Sequence, residues 1–82
     1  MNYECHITIA VKDAEKACKL LQAFNWKTSE INRDPILGDG SHFYFTRHDK
    51  SHERIETHMR LAANTLRYAG IEVLREKIEL IV

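Results

Sequence analysis

Between residues 4 and 24 the hydrophobic period of this chain switches from two to about 3.6, and that switch restricts the fold more than any other feature. Cys5, Ile7, Ile9 and Val11 alternate with Glu4, His6, Thr8 and Ala10, the pattern of a strand over residues 3–11 with one buried face. Asp13 is then a suitable N-cap. Ala14, Ala17, Leu20, Leu21 and Phe24 follow at helical spacing until Asn25, a residue that tolerates the left-handed conformation in which helices end.

A weaker strand is expected from Trp26 to Asn32, and Asp34-Pro35-Ile36-Leu37-Gly38-Asp39-Gly40 reads as a connecting loop. Alternation returns from His42 to His48, with Phe43 and Phe45 on one side and His42, Tyr44, Thr46 and His48 on the other. Asp49 or Ser51 can cap a second helix whose apolar stripe is Ile55, Met59, Ala62, Leu66 and Ala69, and Gly70 stands where that helix should stop. Ile71 to Val82 forms the last strand, with Leu74, Ile78, Leu80 and Val82 on one face and Arg75, Lys77, Glu79 and Ile81 on the other. Glu76 interrupts its apolar side, which marks a bulge or a shifted register.

The order β-α-β-β-α-β is that of a ferredoxin-like α+β sandwich, a four-stranded antiparallel sheet with two helices on one face. Right-handed crossovers put the first and third strands in the centre and the fourth beside the first. Both helices must share one face to bury their stripes with the apolar strand faces, which leaves the other face open.

At 82 residues the chain supports one core and one domain, spanning 1–82, and excludes an enzyme with a separate cofactor lobe. No cofactor is expected. Twelve basic and twelve acidic side chains give zero net charge, which argues against general nucleic-acid or anionic-membrane binding. No apolar run reaches the roughly 18 to 20 residues of a membrane span and the N-terminus lacks a signal-peptide layout, so a cytoplasmic protein is expected. Cys5 and Cys18 read as reduced thiols. The five histidines show no metal-ligand spacing: Cys5 and His6 point to opposite faces, His48 and His52 straddle a strand-helix junction, and His58 lies too far along.

The open face should gather Glu4, His6 and Thr8 from the first strand, Tyr44, Thr46 and His48 from the third, and Arg75, Lys77 and Glu79 from the fourth. With strands about 4.8 Å apart, these groups lie within reach of one small ligand. Candidate ligand-binding residues are therefore His6, Thr8, Tyr44, Thr46, His48, Arg75 and Lys77. Polar residues on a wet sheet face also need no ligand to explain them, since they can pair across strands.

His6-Ile7-Thr8, flanked by Cys5 and Ile9, resembles the strand motif of the two-histidine phosphoesterase superfamily. The resemblance implies His6 as general acid or base and Thr8 as an anchor for a phosphodiester. The family carries two such motifs, whereas the second candidate here, Thr46-Arg47-His48, runs in reverse order. Phosphodiesterase activity would therefore need a homodimer contributing His6 and Thr8 from each subunit.

The stretches Tyr3–Ile9, Trp26-Lys27-Thr28-Ser29, Asp34-Pro35-Ile36-Leu37-Gly38, Phe43-Tyr44-Phe45-Thr46 and Arg75-Glu76-Lys77-Ile78-Glu79 are similar to small tailed-bacteriophage proteins without an assigned activity. That similarity implies an accessory protein in the cytoplasm of an infected cell, acting on a host protein or a nucleotide-like signal.

Phe24, Trp26, Phe43 and Phe45 are expected in the core, leaving Tyr44 as the open-face aromatic, too little for a base-stacking platform. Gly38-Asp39-Gly40 reads as a turn in preference to an anion-binding nest. The fourth strand is a long edge with little to blunt it, so a homodimer is expected by edge pairing or by stacking of open faces. A binding module of this kind is the preferred reading and a dimeric phosphodiesterase the alternative.

Overall fold

The computed structural model describes residues 1–34 and 38–81 of the chain. Its elements are β1 (Asn2–Ala10), α1 (Ala14–Leu21), β2 (Lys27–Asp34), β3 (Gly38–Asp49), α2 (His52–Tyr68) and β4 (Val73–Ile81). They form one antiparallel sheet in the order β2-β3-β1-β4. Both helices contribute to a single core on one face of that sheet. This is the α+β arrangement expected from the alternation. No described helix is long and apolar enough to cross a membrane.

Local chemistry accounts for the boundaries. α1 is short, and single 3-10 turns at Val11–Asp13 and Gln22–Phe24 flank it. Asp13 occupies its N-cap position but makes no side-chain capping bond; Asn25, at φ 57°, ends the segment in the left-handed region as its sequence position suggested. α2 is capped more firmly. Ser51 Oγ accepts from the Arg54 N–H at 3.1 Å and Asp49 Oδ1 accepts from the Ser51 N–H at 2.8 Å, so both cap candidates are used. The Arg54 guanidinium also grips Asp49 with two 2.9 Å bonds, holding that carboxyl well below the usual range. At the other end Gly70, at φ 83°, lets its own N–H reach Arg67 O and that of Ile71 reach Leu66 O. This paired closure turns the chain sharply into β4, with Leu66 and Ile71 both buried.

The core joins Cys5, Ile7, Ile9 and Phe45 of the sheet to Ala17 and Leu21 of α1 and Ile55, Met59, Ala62, Ala63 and Leu66 of α2. Burial pushes the Cys5 thiol up to about 11. Phe43 and Phe45 meet edge to face at 5.4 Å under the helices, but Phe24 does not join them: it is 52% exposed, because α1 ends just before it. Gly38, Asp39 and Gly40 belong to β3, not to a loop, so the expected turn there is replaced by a longer strand; Pro35 to Leu37 lie outside the described residues.

β4 differs from its expected pattern in an informative way. Thr8 pairs with Arg75 but Ile9 with Val73, so Leu74 is an extra residue, a bulge in β4. Val73, not Leu74, therefore packs on the core. Glu76 does lie on the helix side, opposite Ile7, and stays there because Arg67, near the end of α2, donates to its Oε2 at 2.6 Å. Leu80 is half exposed near the end of the strand, and Val82 lies outside the described residues.

Candidate functional site

Strand pairing brings the open-face residues into a grid of rows. Glu4 lies between His48 and Glu79, His6 between Thr46 and Lys77, and Thr8 between Tyr44 and Arg75. β2 extends two rows, with Lys27 opposite Thr46 and Ser29 opposite Tyr44. All the residues assigned to this face by alternation share it, but they do not share one environment.

In the third row Thr8 is fully buried and Tyr44 only 5% exposed. Directly opposed side chains on neighbouring strands stand about 4.5–5.5 Å apart, so the short Thr8 is walled in by the longer groups on either side. Thr8 Oγ1 has no hydrogen-bond partner. Thr8 therefore presents no atom to a ligand, and Tyr44 almost none; both are withdrawn from the ligand-binding set. The hydroxyl beside His6 is that of Thr46.

The upper rows form a hydrogen-bonded chain. Glu4 Oε1 lies 2.8 Å from His6 Nε2 and Glu4 Oε2 lies 3.1 Å from His48 Nε2. His6 Nδ1 lies 3.0 Å from Thr46 Oγ1. A carboxylate oxygen only accepts, so each Nε2 carries a proton and donates it to Glu4; in the neutral ring Nδ1 then accepts from the Thr46 hydroxyl. One carboxylate thus orients two imidazoles. Glu4 and His6 are each about three-quarters covered, at 24% and 23% side-chain exposure, so this geometry is held by its neighbours.

Glu4 also sits opposite Glu79, and two facing carboxylates repel. The imidazoles offset this on one side, and Lys77, whose Nζ reaches Glu79 Oε1 at 2.7 Å, offsets it on the other. The lysine, through its hydrogen bond and its charge, holds the Glu79 carboxyl below its ordinary value.

A groove of about 460 Å³ opens over this network, lined by Glu4, His6, Lys27, Ser29, Thr46 and His48. It includes His6, Thr46 and His48 of the expected ligand-binding residues and leaves out Arg75 and Lys77, which stand on the β4 side. Lys27 and Ser29 were missed because β2 has no apolar alternation to assign its faces. Their spacing of two residues was the available signal, since it puts both on one side of any strand. Among the described residues no group of three or more His, Cys, Asp or Glu side chains could hold a metal ion.

Comparison with protein-family models, with curated proteins and with solved structures finds no match to this chain.

Proposed function

We propose that this chain is a small binding module, acting as a homodimer, whose open sheet face takes a small anionic ligand of the nucleotide kind. The observation that carries the reading is the polar groove over β1, β2 and β3, in which the Lys27 ammonium and the Ser29 and Thr46 hydroxyls surround two oriented imidazoles. Its volume of about 460 Å³ falls in the range of small-molecule sites. Glu4 would repel an anion if it stood alone, but it is engaged by both histidines. Lys27 is the counter-charge left for the ligand. A cytoplasmic setting, that of an infected bacterial cell if the phage resemblance holds, is in keeping with the free thiols of Cys5 and Cys18.

A thermal-shift screen of wild type, Lys27→Ala and His6→Ala against mononucleotides, cyclic mono- and dinucleotides and short oligoribonucleotides tests this, with mass spectrometry of each mixture. A ligand at 100 times its Kd adds about 2.7 kcal/mol, and each kcal/mol moves the midpoint of a small domain by roughly 4–8 °C. The expected result is a raised midpoint, an intact ligand and an affinity about tenfold or more lower in Lys27→Ala. A cleaved product that disappears in His6→Ala would replace this reading with the phosphodiesterase. No shift with any nucleotide would remove the anionic ligand and leave a protein partner for the face.

A further inference from the structure

The two sheet edges are not equivalent. β2 is blunted: its pairing with β3 slips between Ile31 and Arg33, and irregular edges resist further pairing. β4 carries its single slip at Leu74, and from Arg75 to Ile81 it pairs with β1 residue for residue. Among the described residues no strand neighbours this stretch on its outer side. It also carries two exposed apolar residues, Leu80 at 50% and Ile81 at 36%.

The geometry points to a second copy of this chain as the occupant of that edge, joined β4 to β4 in the antiparallel register centred on Ile78. The inference rests on the dimeric part of the proposed function. A two-fold axis perpendicular to the sheet pairs residues of the same face, so the close registers are those centred on Lys77, Ile78 or Glu79. Centring on Lys77 sets two lysines opposite each other, and centring on Glu79 sets two carboxylates opposite each other; like charges in that position destabilise the pair. Centring on Ile78 avoids both. It sets Lys77 against Glu79 of the other copy twice over, so the Lys77–Glu79 ion pair already present within each strand at 2.7 Å becomes part of a ring of four alternating charges.

On the helix side the same register opposes the two Ile78 side chains and sets Leu80 of each copy directly across from Glu76 of the other and diagonal to its Ile78. Diagonal neighbours remain within reach of long side chains, so the half-exposed Leu80 becomes covered. The product is one continuous sheet of eight strands, four from each copy, with both open faces on the same side. The Lys27 grooves lie toward its two outer ends, away from the junction.

Sedimentation velocity at about 100 µM and a single-cysteine scan test the register, in a Cys5→Ala, Cys18→Ser background, because Cys5 is the β1 neighbour of Ile78 and would compete for its thiol. Opposed residues across antiparallel strands have Cα atoms within disulfide range, so oxidation should cross-link Ile78→Cys to itself and spare Lys77→Cys and Glu79→Cys. A second test needs no core substitution. Lys77→Glu and Glu79→Lys should each weaken the dimer about tenfold or more, because each opposes like charges twice, and an equimolar mixture of the two should restore a heterodimer. A monomeric wild type would overturn both this inference and the dimer of the proposed function, with the ligand groove untouched. A dimer that cross-links through residue 77 or 79, or through none of the three, would overturn the register and leave the dimer standing.

Discussion

The two faces of β1 are built from alternate residues of one nine-residue strand, yet they obey different rules. On the helix side Cys5, Ile7 and Ile9 are all fully buried, and burial there is set by the helices above. On the open side no described element covers the sheet, and burial is decided one side chain at a time by what stands opposite. Thr8, between Tyr44 and Arg75, is as inaccessible as Ile7; His6, between Thr46 and Lys77, keeps part of its ring exposed at the edge of a groove. Facing away from the core is therefore not the same as being available to a ligand.

The sharpest way to break this comparison is to empty the covered face. Phe45→Ala should cost about 3–5 kcal/mol in urea unfolding, because a large ring is lost from a site that helices and sheet cannot collapse to fill. A loss below about 1 kcal/mol would mean that the helix face is no better packed than the open one.

Thr8→Val tests the buried row of the open face. Its hydroxyl is buried without a hydrogen-bond partner, so the nearly isosteric valine should stabilise the fold by about 1 kcal/mol. Nucleotide affinity should not change. A drop in affinity with the fold intact would return Thr8 to the site as an anchor.

The smallest effect belongs to the wet rows. The Glu79 carboxyl is held below its ordinary value by Lys77, so its contribution to stability is present above the usual carboxylate range and is lost as pH falls through the lowered value. In dilute solution the midpoint of wild type should exceed that of Glu79→Gln slightly at pH 7, and the two should converge once the pH falls below the lowered carboxyl value. A gap that persists in acid would show that Glu79 acts through packing and not through its charge.

Much of this could be read from the residues in order. The alternation in β1 and β3 and the Ser51 and Gly70 helix signals depend on local geometry, and local geometry is written in neighbouring residues. The open-face set also followed from alternation alone, because period two assigns a face without reference to any partner. Lys27 and Ser29 were harder. β2 is an edge strand with no buried apolar row, so nothing in its own sequence announced which side its lysine takes.

What this chain determined by itself is the order of its elements, the apolar rows of β1, β3 and α2 and the membership of its open face, since each follows from periodicities and caps that act over a few residues. Only the tertiary structure decided which of those polar residues meet. The pairing of Glu4 with His6 and His48, the burial of Thr8, the bulge at Leu74 and the reach of Arg67 to Glu76 all depend on register between strands or on a helix crossing a sheet edge. Register is a relation between segments far apart in the chain, and it is set only when the core closes.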